Sequence, residues 1–429
     1  MKHSLNGINK ESVVKDDLHS MKIREQNVPF RDKVKQFKKF IHGLERARQI
    51  SYYRMICSPM DRVVSVSLNG EKPKELIMFG SNNYLGFAND AYIKQKVKKS
   101  IDKQGIGVAG PPILNGYTKN HNSLEKRLSD LKGVEDAMIF PSGFQTNLGM
   151  VSGLISSDDI LFYDQYSHAS TNDGLHLAGI SANKFKHNDV ADLSDLLSHS
   201  DSTGQAFIAV EGLYSMDGDI SPLDEIVNLA AQKNSICLLD DAHGTGLLGE
   251  NGKGAMELFS IPKAEIVHMG TFSKSFAVNG GFIAGNKDLI KYLRYHARPY
   301  MFSASLSTAI IAAIHAGLDL VESEPWRRIR IQKLKDYAVE KMSGFEFIHK
   351  PESAILAIKI PTKVNIRESC LDLHHMGYFV NAVEYPAVPK DQERLRISLM
   401  VNHKEDDIDG LIEALETSFN KQLDQCPSN

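Results

Sequence analysis

Cysteine is scarce in this chain: four residues in 429, Cys57, Cys237, Cys370 and Cys426, scattered and without a Cys-x-x-Cys pair. That argues against a disulfide-framed scaffold or a zinc knuckle and fits a reducing cytosol. A run of roughly 20 apolar residues, the length a membrane-spanning helix needs, is also missing. The nearest stretch, STAIIAAIHAGLDLV, carries His315 and Asp319 and reads as a core helix. The N-terminus has no signal-peptide pattern, so the expectation is a cytoplasmic protein with no transmembrane segment. Excess positive charge is absent too. Lys and Arg number 50 against 53 Asp and Glu, a net charge of −3, which argues against a nucleic-acid partner.

Hydrophobic residues make up 42% of the chain, enough for a packed interior of more than one domain. Residues 1 to about 30 are polar and aperiodic and read as a mobile tail. In DKVKQFKKFIHGLERARQ, Val34, Phe37, Ile41 and Leu44 recur at helical spacing, an amphipathic helix in need of something to pack on. VVSVSL and ELIMFG read as strands. From about residue 90, helical segments alternate with short apolar runs: DAMIFPSG, DILFYD, AFIAVEG, SICLLDDAHG and EIVHMGTFS. This alternation predicts βαβ units and an α/β fold, with a large domain over 61–315 built on a mainly parallel sheet. The pattern after residue 315 predicts a smaller α+β domain over 316–429, and residues 1–60 stand apart as tail plus helix.

In an open parallel sheet, ligands bind beyond the carboxyl ends of the strands, so the polar residues after each apolar run are the informative ones. SICLLDDAHGTG delivers Asp240, Asp241 and His243; alone it is equally a βα-turn with an aspartate cap. AFIAVEGLYSMDGD delivers Glu211, Ser215 and Asp217, alone equally an Asp-Gly turn. DILFYDQYSHAS delivers His168, which alone reads as structural. In DAMIFPSGFQTN a strand meets Ser142-Gly143-Phe144 and then a helix, whose free N–H groups and dipole favour an anion. EIVHMGTFSKS places Lys274 just past a strand end, with Thr271 and Ser273 able to contact phosphate and Gly280-Gly281 allowing close backbone approach. A lysine in a crowded, partly dry site becomes nucleophilic toward carbonyls. A phosphate cradle, an acid for a ring nitrogen, two histidines and an amine together describe a pyridoxal 5'-phosphate site. No metal site is indicated.

From about residue 75 onward, the ordered set FGSNNYLGF, PSGFQTN, SHAS, EGLYSMDGD, DDAHGTG, MGTFSKS and RLRISLMVNH resembles the α-oxoamine synthases, fold-type I pyridoxal-phosphate enzymes. Members condense an amino acid with an acyl thioester and release carbon dioxide. The resemblance implies that Lys274 forms the Schiff base and serves as general base, that Asp240 holds the ring nitrogen protonated, and that His168 stacks on the ring. It places Ser215 and His243 near the phenolic oxygen and Gly143, Phe144, Thr271 and Ser273 at the phosphate. Asn82 and Tyr84 would lie near the substrate, and Arg396 would clamp the amino-acid carboxylate, a task suited to a guanidinium fork. MGTFSKS and YMFSAS resemble most the members that take L-serine and a long-chain acyl-CoA. Glycine or alanine with another acyl donor, an acyl-carrier protein as thioester source, an aminotransferase or lyase of the same fold, and a catalytically silent partner subunit are the rival readings. Lys274, Asp240 and both histidines argue against the last. Relatives are homodimers with a shared active site, which makes Ser303 and Ser305 candidates for a contact with the partner's phosphate. Two departures stand near the substrate region: GPPILNG, with Pro111 and Pro112, where the family commonly has Gly-Ser-Arg, and Glu384, where some members carry a second arginine.

Overall fold

The computed structural model describes residues 27–46, 49–200, 203–259, 261, 266–385 and 387–424. The expected N-terminal tail up to residue 26, and Cys426, lie outside the described residues. Among those residues no helix is long and apolar enough to cross a membrane.

Seven short strands form a central sheet in the order Asp136–Phe140, Gly281–Gly285, Ile266–Thr271, Ile236–Asp240, Ala206–Glu211, Ile160–Asp164, Ser181–Phe185, the last a polar, mostly exposed edge. Neighbours run parallel except Gly281–Gly285, which is antiparallel to the strands on both its sides. The mainly parallel sheet is therefore present, with one reversal. The segment 272–280 is too short for a crossover helix, so the chain turns back and pairs as a hairpin. Parallel strands covered on both faces carry continuous apolar runs. Here Ile139, Ile208, Leu239 and Phe282 enter one core cluster, while Met138, Leu161, Leu238 and Ile283 enter the other.

Structural elements run across the expected domain limits at both ends. The division at 315/316 falls inside Thr308–Ser323, a continuous helix with nine buried residues among its sixteen. At the other end, Val63–Ser67 and Lys74–Met78 do not join the large sheet. They form a four-stranded sheet with Met55–Ile56 and with Tyr378–Phe379 from the C-terminal part. Beside it, Ile355–Lys359, Arg394–Ser398 and Asn381–Val383 make an antiparallel sheet covered by the helices Ile366–His375 and Glu405–Asp424. The smaller body is thus built from both ends of the chain. The helix Phe30–Arg46 forms as its periodicity predicts, but only Leu44 on it is buried.

His187 ties the strand ends together. Its Nδ1 donates to Asp164 (3.0 Å) and its Nε2 to Asp219 (2.8 Å), and its side chain is 7% exposed. Burial alone would push the imidazolium pKa down, but the bonds to Asp164 and Asp219 outweigh it and raise it from 6.5 to about 9. A raised folded-state pKa gives stability that is complete below pH 6.5 and lost as pH rises through 9, here up to about 3 kcal/mol. Urea unfolding at pH 6.5 and at pH 9.5 should show this loss in the wild type and little of it in His187→Gln. Equal slopes in both proteins would remove His187 from this role.

Candidate active site

The lysine loop is shaped by what flanks it. Phe272 and Phe276 are buried and meet edge to face at 5.6 Å, with Phe282 stacked on Phe272. Phe272 N–H donates to Gly280 O (2.9 Å) and Ala277 N–H to Lys274 O (2.9 Å), closing the turn. Gly280 holds φ +123°, and a Cβ there would come within 2.7 Å of Leu306. With both phenylalanines anchored, Lys274 is left facing a cavity of 270 Å³ at the carboxyl ends of the strands. Burial lowers its ammonium pKa, with Asp240 and Glu211 opposing, so the amine is primed for attack on a carbonyl.

One end of that cavity suits an anion. Ser142 caps the helix Gly143–Leu154, its hydroxyl accepting from Gln145 N–H (3.2 Å), which leaves the N–H groups of Gly143 and Phe144 free. A Cβ on Gly143 would lie 2.7 Å from Thr271 Oγ1, so only glycine lets the helix end approach this closely. Thr271 Oγ1 donates to Gly280 O (2.8 Å) and lies 3.0 Å from Ser273 Oγ.

The opposite end suits a cation. Asp240 is 7% exposed. Its Oδ2 accepts from Asn147 Nδ2 (2.6 Å) and its Oδ1 from Ala242 N–H (3.0 Å), yet no cationic side chain among the described residues forms an ion pair with it. A buried carboxylate without a counter-cation is costly unless a ligand brings one. Asn147 Nδ2 also donates to Ser170 Oγ (2.9 Å), and Ser170 lies 2.7 Å from His168 Nδ1 and donates its N–H there (3.2 Å). Asp240 and His168 therefore share one polar chain. Because Nδ1 accepts that N–H, the network assigns the His168 proton to Nε2. Burial lowers the pKa of His168, and of His243 further, so both rings are neutral.

The second acid of the pair serves the fold. Asp241 Oδ2 receives Lys132 Nζ (2.6 Å), both side chains being almost fully buried, and Asp241 Oδ1 accepts from Ala255 N–H (3.1 Å). Removing one member of such a pair leaves a buried charge. Lys132→Met should cost about 3 kcal/mol or more in denaturant unfolding, and adding Asp241→Asn should restore part of it. A neutral Lys132→Met would contradict the pairing.

The expected substrate residues come together around His243. Arg396 Nη2 donates to Asn82 Oδ1 (3.0 Å), Tyr84 Oη lies 3.2 Å from the same oxygen, and Tyr84 Oη is 2.8 Å from His243 Nδ1. Tyr84 is fully buried, with its hydroxyl against His243. Arg396 also donates Nε–H to Ser215 O (2.5 Å) and Nη1–H to Ser398 Oγ (2.8 Å). Its guanidinium also lies against the Tyr84 hydroxyl. Glu384 does not face this site. Arg367 Nη2 reaches it at 2.8 Å and Tyr52 Oη at 2.6 Å, so its charge is consumed in a buried pair. Pro111 and Pro112 open a turn closed by Gly116 N–H on Pro111 O (2.9 Å).

The cavity wall takes in Lys274, His168, Asp240, His243, Gly143, Phe144, Ser215, Thr271 and Ser273. Asn82, Tyr84 and Arg396 join it through His243. Ser303 Oγ accepts from Gln145 Nε2 of its own chain (2.9 Å), while Ser305 Oγ is buried without a partner. A larger concavity of 630 Å³, walled by Tyr117, Glu125, Arg294 and Tyr300, gathers none of the strand-end groups, and its Glu125 and Arg294 neutralise each other (2.9 Å). The residues fit pyridoxal phosphate on three counts: the free helix N-terminus walled by glycine, the unpaired buried Asp240 opposite, and the amine between. Asn147 and Ser170 were not marked by the sequence reading. A helix-period step from Gly143 to Asn147 was the available signal.

Residues 74–415 match the family described as aminotransferase class I and II. The chain is 38% identical to a serine palmitoyltransferase of Sphingobacterium spiritivorum over 86% of its own length and 92% of the relative's. It is 34% identical to an 8-amino-7-oxononanoate synthase of Lysinibacillus sphaericus, covering 82% and 90%. A solved serine palmitoyltransferase holding pyridoxal phosphate as an internal aldimine superimposes with a TM-score of 0.86 at 27% identity, over 92% of this chain and 99% of that one.

Proposed function

Because the chain belongs to the class I and II aminotransferase family, and within it to the pyridoxal-phosphate-dependent α-oxoamine synthases, we propose that it condenses L-serine with a long-chain acyl-CoA to an α-aminoketone, releasing carbon dioxide and free CoA. The observation that carries the choice of serine is the 38% identity to a serine palmitoyltransferase across nearly the whole of that protein. Bound pyridoxal phosphate supplies the electron sink that stabilises a carbanion at the amino-acid Cα.

The protein's own groups do the rest. The helix end at Gly143 and Phe144, with Thr271 and Ser273, holds the phosphate. Asp240 holds a proton on the ring nitrogen by its charge. His168 covers one ring face. Arg396 pairs its guanidinium charge with the substrate carboxylate. Lys274 Nζ, its pKa lowered by burial, takes the proton from Cα and returns one after carbon dioxide has left. His243 and Ser215 stand at the phenolic side. Ile106, Ile113, Leu114 and Phe302 are exposed apolar side chains, which supports a homodimer, and an enzyme of the cytoplasm fits the composition.

Purified protein given L-serine, glycine or L-alanine with palmitoyl-CoA, a shorter acyl-CoA or an acyl-carrier protein thioester should release the serine-derived aminoketone of the long chain, identified by mass. Faster turnover of L-alanine with a short dicarboxylic acyl donor would move the reading to the oxononanoate synthase type, which the Lysinibacillus sphaericus relative supports.

A further inference from the structure

Glu211 ends the strand Ala206–Glu211 and pairs in register with Asp240 on the next parallel strand. Both carboxyl groups open onto the same cavity, but they are supplied differently. Asp240 receives one donor at each oxygen. Glu211, 4% exposed, receives the main-chain N–H of His168, while its Oε1 is buried with no partner. Asn147 Oδ1, on the group that anchors Asp240, is a second buried acceptor without a donor. This end of the site therefore carries surplus acceptors, and a proton on Glu211 turns one of them into a donor. The groups around Glu211 are Asp240 on the neighbouring strand, Asp164 on the other side, Lys274, the main chain of His168, and Tyr214, whose hydroxyl accepts from the Glu211 N–H. Lys274 and the His168 main-chain N–H favour a second anion, but burial and the charge of Asp240 oppose it, and the charge of Lys274 is itself reduced by burial.

We propose that Glu211 is a positioning residue that serves the site as an uncharged acid, anchoring the main chain of His168 and leaving Asp240 as the sole carboxylate charge presented to the cofactor ring. Burial, followed by the charge of Asp240, pushes the Glu211 carboxyl well above the usual carboxylate range, with Lys274 opposing. The proposal rests on the pyridoxal-phosphate reading. It adds that two acids read as neighbours have opposite protonation states, set by how many donors each receives.

The test compares wild type with Glu211→Gln, a replacement of nearly the same shape that cannot ionise. Absorbance of the cofactor–Lys274 linkage, titrated with pH in the holoenzyme, should give the same apparent pKa in both proteins to within about 0.3 unit, since no charge is removed. If Glu211 is an anion, its loss lowers that pKa by about one unit or more and the proposal fails. Turnover and the KM for the amino acid should likewise stay within about threefold in Glu211→Gln, whereas Glu211→Ala, which frees the His168 main chain, should raise KM. Infrared spectroscopy reads the same state directly. Wild type should show the carbonyl stretch of a buried protonated carboxyl group and Glu211→Gln should lack it. If Glu211→Gln does not fold, absence of that band from the wild type overturns the proposal by itself. No linkage absorbance in either protein would instead sink the cofactor reading, and the infrared band would still decide the state of Glu211.

Discussion

Lys274→Ala should lower kcat by on the order of 10⁴-fold and abolish the linkage absorbance while leaving the fold intact. The size follows from two losses at one atom. The variant has no amine to anchor the cofactor covalently, and no base beside Cα. Neither loss has a substitute nearby: His168 and His243 are neutral, but His168 Nδ1 is occupied by Ser170 and His243 Nδ1 by Tyr84. Stability should change little, because the loop is anchored by Phe272, Phe276 and the turn hydrogen bonds rather than by the lysine side chain. Single-turnover rates and absorbance with and without added amine check both parts. A Lys274→Ala protein that turns over normally would sink the scheme.

The second large effect is expected from Asp240→Ala. Without the carboxylate nothing holds the ring nitrogen protonated, and a loss of about 10²- to 10³-fold in kcat is expected, as for removal of one preorganised electrostatic partner. The damage should also spread. Asn147 loses its acceptor, and with it the link through Ser170 to His168 loosens. Cofactor retention on dilution should therefore fall along with kcat. Asp240→Asn separates the terms: the amide oxygen can still accept from Asn147, so cofactor retention should recover more than kcat does. If both recover together, charge is not what Asp240 contributes.

Much of the site was legible because a parallel sheet brings all its carboxyl ends to one edge. Residues that look like turns one at a time, such as Asp240, His168 and Lys274, become a constellation once that geometry is assumed. Asp240 and Asp241 were separable only in part. The structure splits them because one meets the cavity and the other meets Lys132, a helix C-terminal lysine 109 residues away whose destination no local pattern reveals. The contact of Tyr84 with His243 was hidden for a similar reason, since 159 residues separate the two. The reversed strand Gly281–Gly285 carries an apolar run like its parallel neighbours, so direction had to come from the short connection. The pairing that crosses the expected domain limits was not legible, because Tyr378–Phe379 is a two-residue strand, below what periodicity can detect, and it recruits the N-terminal strand Lys74–Met78 into its sheet.

That recruitment also sets an order of assembly during synthesis. Asn381 Nδ2 donates to Gly80 O across 301 residues, and Lys74–Met78 remains an open sheet edge until Tyr378–Phe379 has left the ribosome. The seven strands of the large sheet emerge well before then, and their contacts close on one another. Domains fold as they are completed during translation. The cofactor end of the pocket, from Gly143 to Lys274, is therefore finished first, and the carboxylate end is finished last, when Arg396 is threaded between its neighbours and meets Asn82. Until Arg396 has left the ribosome, Asn82 and the main chain of Ser215 lack the guanidinium that joins them, so on the proposed reading a shorter nascent chain has nothing with which to grip an amino acid.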